Sequence, residues 1–444
     1  SLLGWDRQST GSEGARSKPG LVPELGGPSQ QGQAQVYRGY YRGHEAQCDR
    51  RGAPLCGRVL RVSAAASGSL REPWKLMLLD ALFRSFMTAG DVLHSLGVLH
   101  RVHLLNHVVS LVEEVPARSC SALHVTDSAL AGIPTRVYRP RAGQALKRGV
   151  LYFHGGGWAL GSARMRSYDL LCRKMAEDLD AVIMSVDYGL APESVFPAPY
   201  LDALSASRSF LSADTWDRFG LDPNRLCISG DSAGGNLAAA VTQTLSSDPS
   251  LPTQPRVQAL VYPVLQALDF QTSSYQQNQA VPILYRPVMA RFWLQYLDAD
   301  PLLEPSILNN LHSCALDPIT RSKINWTVLV PAHIRKHYRP IAVDTSTGAE
   351  LAPVFLDVRA APLLADDVVL SRTPKAYILT CEFDILRDDG MMYARRLRDA
   401  GVTVTSDHYD DGFHGCMVFA NLPMMSSVGR RSMEGFIRWL DQNL

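Results

Sequence analysis

The stretch Leu226-Cys227-Ile228-Ser229-Gly230-Asp231-Ser232-Ala233-Gly234-Gly235-Asn236 constrains this chain more than any other. It reads as a short apolar strand, a tight turn and the start of a helix that runs from Asn236 to Leu245. Gly230 and Gly234 flank Ser232 in the G-x-S-x-G pattern of a nucleophile elbow. A serine on so sharp a turn sits in strained backbone, and only small neighbours let the turn close. The hydroxyl then stands above the sheet edge, next to a helix N-terminus that favours negative charge. The competing reading is a glycine-rich strand-to-helix turn with no chemistry.

The surrounding chain decides between these. Strand-like and helix-like segments alternate: a strand at Gly149–Phe153, a helix at Met165–Leu179, a strand at Ala181–Tyr188 and a helix at Ala198–Leu211. The elbow strand Arg225–Gly230 and a strand at Val257–Tyr262 follow. Such alternation predicts an α/β fold with a mostly parallel central sheet flanked by helices. In such sheets the working site lies beyond the carboxyl ends of the strands. Residues 266 to about 372 break the rhythm with glutamines, prolines and an aromatic run, Phe292 to Leu297, and read as a largely helical cap inserted over the site. Alternation resumes with a strand at Lys375–Cys381, a helix at Met391–Ala400, a strand at Val402–Tyr409 and a closing helix near Val428–Leu440.

Three chemically apt groups fall just after predicted strands, in the order Ser232, Asp384, His414. That is the chain order of an α/β-hydrolase triad. In those roles Ser232 attacks, His414 moves the proton, and Asp384 holds the imidazole in the useful tautomer. Asp388 and Asp389 compete for the acid role; Asp384 is preferred because it lies nearest the strand end. Asp410 and Asp411 stand too close to His414 in sequence and read as turn groups. His154-Gly155-Gly156-Gly157 matches the loop that supplies oxyanion donors, and the amides of Gly155, Gly156 and Ala233 are the expected set. His154, Gly157 and Asp231 complete the two motifs as supporting positions. A phosphate-cradling loop is the alternative, but the lysine and spacing it needs are missing.

With these motifs in hand, the chain resembles the hormone-sensitive-lipase branch of α/β-hydrolases, and within it the arylacetamide deacetylase-like proteins. The likeness is carried by His154-Gly155-Gly156-Gly157-Trp158, by Gly230 to Asn236, by Cys381 to Asp389 and by Asp411-Gly412-Phe413-His414-Gly415. It runs from about residue 74 to the C-terminus. The resemblance implies a carboxylic-ester hydrolase that needs no metal and no organic cofactor. Its substrates would be lipid or small-molecule esters. It also implies attachment to the endoplasmic reticulum membrane through an N-terminal anchor, with the catalytic part in the lumen. Glycine stands at 189, in Tyr188-Gly189-Leu190-Ala191-Pro192-Glu193, where the family carries arginine; a looser loop behind the elbow is expected. A small-molecule binding protein on the same scaffold is the alternative from another class.

The rest of the chain is less informative. Residues 1–70 are rich in Gly, Ser, Gln and Arg and read as a segment of low order. No run there approaches the ~18 apolar residues of a membrane span, and no signal-peptide core is visible. The chain opens at Ser1 rather than methionine, which fits a fragment or a processed form. Leucines and valines between Pro73 and Glu114 recur at spacings of three and four, the mark of amphipathic helices. They are read as facing the core, with a lipid surface as the alternative. Ala122–Pro140 reads as two strands around Ala131-Gly132-Ile133-Pro134. A net charge of +1 argues against nucleic-acid partners. Cys48 and Cys56 would suit a local disulfide or two free thiols, and Asn325-Trp326-Thr327 is a glycosylation acceptor triplet.

Overall fold

A computed structural model describes residues 72–444, apart from 99, 142–144, 344–351 and 422–423. The expectations for residues 1–70 and the pairing of Cys48 with Cys56 lie outside the described residues. The remaining cysteines are all free.

Eight strands form one sheet: β1 Leu123–Leu130, β2 Ile133–Pro140, β3 Lys147–Phe153, β4 Ala181–Val186, β5 Leu221–Asp231, β6 Val257–Val261, β7 Lys375–Phe383 and β8 Val404–Phe413. Their order is β1-β2-β4-β3-β5-β6-β7-β8. The β1–β2 and β2–β4 pairs are antiparallel, and every pair from β4 to β8 is parallel. The inner strands of the parallel part, β3, β4, β6 and β7, are largely apolar and buried, as a sheet covered on both sides requires, whereas the edge strand β8 is mostly polar. In β3, Val150 and Tyr152 face one core while Leu151 and Phe153 face the other.

The helices are α1 Pro73–Ser95, α2 Arg101–Glu113, α3 Arg166–Leu179, α4 Ala198–Phe210, α5 Ala213–Phe219 and α6 Ala233–Leu245. Seven short cap helices follow: α7 Ser273–Asn278, α8 Arg286–Tyr296, α9 Glu304–Leu308, α10 Pro318–Lys323, α11 Trp326–Leu329, α12 Ala332–Arg335 and α13 Asp367–Leu370. The last two are α14 Arg387–Asp399 and α15 Ser427–Asn443. Helices α4, α6 and α14 pack on one face of the sheet, and α3 and α15 on the other.

Local chemistry explains several boundaries. Proline opens α1, where its missing N–H costs nothing. Asp180 closes α3 in the left-handed region, with its N–H returned to the last turn. Ser426 caps α15 by accepting from the Gly429 amide.

Some expectations need correction. Helix α5 has no counterpart among the segments expected from sequence. Helix α14 starts at Arg387 rather than Met391, so Asp388 and Asp389 lie in its first turn. Strand β8 runs on to Phe413, so Asp410 and Asp411 are strand residues and not turn groups. The loop at Gly189 is not loose either. The Gly189 N–H donates to Asp202 Oδ2 at 2.9 Å. A Cβ there would come within 2.6 Å of Ser194 Oγ, so the loop is packed where the family's larger residue would stand.

Candidate active site

Strand β5 ends at Asp231, and α6 begins at Ala233, leaving Ser232 alone to make the turn. Its φ of 54° and ψ of −118° are strained for a residue with a side chain. The flanking glycines are demanded by contact. A Cβ at Gly230 would lie 2.4 Å from the Gly234 carbonyl oxygen, and one at Gly234 would lie 2.0 Å from that of Phe153. The elbow is therefore pressed against the end of β3, where the glycine loop begins.

Ser232 Oγ lies 2.9 Å from His414 Nε2. His414 Nδ1 lies 2.8 Å from Asp384 Oδ2. The three are all buried, Asp384 almost completely. A carboxylate at Nδ1 favours the tautomer with its proton there, which leaves Nε2 to accept from the serine hydroxyl. Asp384 is itself held: its Oδ1 accepts the Leu386 N–H at 2.8 Å. Asn278, from cap helix α7, donates to the backbone carbonyls of Glu382 and Asp384. The rival acids are engaged elsewhere. Asp388 takes bonds from Ser273, the Ser274 amide and Arg387. Asp389 accepts from the Leu265 amide and Gln266.

The expected oxyanion set is only partly available. The Gly155 N–H is taken, by Asp231 Oδ1 at 3.0 Å and Tyr168 Oη at 2.9 Å. Gly155 therefore anchors the loop to the elbow and is not an oxyanion donor. Gly156 and Gly157 line the cavity beside Ser232 and His414. Ala233 follows Ser232 as the first residue of α6, whose first-turn amides have no acceptor in the helix.

His154 points away from the cavity. Its Nδ1 donates to the Gly155 carbonyl at 2.7 Å, and its ring stacks on Tyr188. Burial lowers its affinity for a proton against the opposing pull of Asp187.

Asp231 is buried behind the serine. Tyr152 Oη and Tyr168 Oη donate to it at 3.0 and 3.2 Å. Burial pushes its carboxyl up to about 6 despite these bonds. A carboxyl raised in the folded state adds stability that is full below its unfolded value and lost as pH rises through the folded one. Asp231→Asn removes that loss. Its Tm relative to the native protein is therefore expected to improve by about 2 °C or more between about pH 4 and about pH 8. A pH-independent difference in the two melting curves would contradict the assignment.

The cavity at the serine has a volume of about 170 Å³. Its walls beyond the polar groups are apolar: Phe83 from α1, Ile283, Leu284, Met289 and Phe292 from the cap, and Phe419. Among the described residues no cluster of three or more His, Cys, Asp or Glu side chains is arranged to hold a metal ion.

A serine in a strained strand-to-helix turn, under a glycine loop and beside a histidine–aspartate pair from later strands, defines the α/β-hydrolase class. Residues 150–335 and 338–418 match the family model of the alpha/beta hydrolase fold. The chain belongs to this family, in its hormone-sensitive-lipase-like branch, as a carboxylesterase-type hydrolase. It is 48% identical over 385 residues to neutral cholesterol ester hydrolase 1 of Pongo abelii, covering 85% of this chain and 94% of that protein. It is 42% identical over 379 residues to arylacetamide deacetylase of Mus musculus, with the same coverage, 85% and 94%. Among solved structures it is similar to the ester-hydrolase EH1AB1 from the metagenome of Lake Arreo. The TM-score is 0.59 at 26% identity, over 83% of this chain and 96% of that one.

Proposed function

We propose that the chain hydrolyses carboxylic esters with apolar acyl groups through an acyl-enzyme on Ser232. The observation that carries this is the pair of contacts, 2.9 and 2.8 Å, joining Ser232, His414 and Asp384 beside an apolar cavity. His414 Nε2 takes the hydroxyl proton as Oγ attacks the ester carbonyl. The Asp384 carboxylate steadies the imidazolium. The carbonyl oxygen, now negative, is received by the amides of Gly156, Gly157 and Ala233. His414 then returns the proton to the departing alkoxide, and a water activated by the same nitrogen releases the acid. An amide could follow the same route with an amine as leaving group.

The apolar walls favour a lipid-like ester, in keeping with the name of the relative that is a neutral cholesterol ester hydrolase. The test is a fluorophosphonate probe on the purified protein. Covalent labelling of Ser232 separates an enzyme from a binding protein on the same scaffold, which would bind apolar esters without being labelled.

A lipid surface is the proposed setting. Trp74, Leu78, Leu82 and Phe86 recur every four residues on α1 and are 62, 57, 51 and 37% exposed. The same helix sends Phe83 into the cavity. No described helix is long and apolar enough to cross a membrane; this stripe would lie on one instead. Leu78→Asp with Leu82→Asp is expected to cut the fraction floating with phosphatidylcholine vesicles by about tenfold or more. Undiminished flotation would remove the stripe from the account. Attachment to the endoplasmic reticulum, which the resemblance implies, would be read from fractionation of cells expressing the chain.

A further inference from the structure

A second cavity, of about 230 Å³, lies next to the one at the serine. Two side chains, Leu160 and Phe292, line both. The cavities also share their builders. On α1, Phe83 faces the first cavity and Met87, one turn on, faces the second. On α8, Met289 lines the first, Val288 and Leu294 the second, and Phe292 stands between.

The partition is set against the glycine loop. A Cβ on Gly157 would lie 2.5 Å from the Phe292 ring, so the ring rests on the loop. Leu160 is fixed by its N–H, which donates to the Gly156 carbonyl at 2.8 Å. Phe292 is only partly buried, whereas its neighbours Trp293 and Leu294 are buried. Leu160 is likewise only partly buried, so both members of the wall are less confined than the helix residues behind them.

Size gives the partition a purpose. Sites for drug-sized ligands run from roughly 300 to 1,000 Å³, and neither cavity reaches that range alone. Joined, they enter it. Direction follows from the chemistry. His414 must reach the leaving oxygen, so the alcohol departs on the His414 side. None of His414, Gly415, Val418 or Phe419 borders the second cavity. The arm pointing toward Phe292 is then the acyl chain.

We propose that Phe292, backed by Leu160, is the specificity-determining partition between a short-chain acyl compartment and a second acyl compartment. An acyl chain too long for the first cavity displaces the Phe292 ring and enters the second, along the apolar part of its lining, Met87, Val288 and Leu294, and not the part formed by Arg291, Asp298 and Glu304. This rests on Ser232 as the nucleophile.

The test is kcat/KM on a p-nitrophenyl ester series from acetate to palmitate, with fluorophosphonate labelling of each purified variant. Phe292→Ala and Leu160→Ala are each expected to raise the palmitate-to-acetate ratio by about tenfold. Val288→Phe, which takes up space in the second cavity, is expected to lower the ratio by a similar factor. Should Phe292→Ala fail to fold, Leu160→Ala and Val288→Phe decide the matter. Labelled, active variants whose ratio stays at the native value would overturn the partition. So would a change confined to a series of alkyl acetates that varies the alcohol. Absence of Ser232 labelling in the native protein would instead strike the reading of the nucleophile.

Discussion

Ser232→Ala is expected to lower kcat/KM for p-nitrophenyl butyrate on the order of 10⁴-fold or more, with the fold intact. The size of the loss follows from the role. Without Oγ no acyl-enzyme forms, and what remains is the stabilisation that the glycine loop and the cavity give to attack by water. Replacing serine by alanine also leaves the turn able to close, because the tight contacts are made by Gly230 and Gly234 and not by the hydroxyl. His414→Ala should cost a comparable factor. The double variant should lose little more than either single one, since both groups serve one step. Asp384→Asn should fall by about 10⁴-fold, because an amide can hold the imidazole in the wrong tautomer. A Ser232→Ala protein that kept native turnover would end the assignment. Losses that multiplied in the double variant would show two independent contributions and not one proton path.

Much of this site could be read from sequence because its reacting groups are tied to strand ends. Ser232, Asp384 and His414 each follow a strand of the parallel part, and such ends converge along one edge whatever the loops do. The groups that support them were hidden for the opposite reason. Tyr152 lies 79 residues from Asp231 and Tyr168 lies 63, so nothing local marks the hydroxyls as its partners. The engagement of the Gly155 amide is not legible because the motif specifies flexible backbone but not which way each N–H turns; the buried Asp231 carboxylate decides that. Arg387, Asp388 and Asp389, which the sequence leaves outside the helix, form its buried start. They are satisfied by Gln277, Ser273, Ser274, Leu265 and Gln266, all from the segment between β6 and β7. Helix α5 is only seven residues long, yet Gly220 after it, in the left-handed region, was a readable stop signal.

The glycine loop offers the second large effect. Gly156→Ala is expected to reduce kcat by about 10²- to 10³-fold, a loss typical of one oxyanion donor. Gly156 has a φ of +118°, where a side chain is strained, and a Cβ would come within 2.0 Å of the Leu160 carbonyl oxygen. That turn cannot simply widen. Leu160 returns its own N–H to the Gly156 carbonyl, and the next residue, Gly157, carries the Phe292 ring. Relief must come from displacing the peptide units whose amides are proposed to receive the reacting oxygen. A control isolates this from ordinary glycine strain. Gly401 also has a positive φ, +89°, but nothing lies within 4 Å of its would-be Cβ. Gly401→Ala should cost stability of about 1 kcal/mol and leave kcat at its native value. Native kcat in a folded Gly156→Ala protein would mean that the oxyanion is received elsewhere. Gly156→Ala should cost more stability than Gly401→Ala, because only its Cβ meets backbone; a large fall in kcat measured well below its Tm, beside native kcat in Gly401→Ala, is the pattern that separates a displaced donor from a weakened fold.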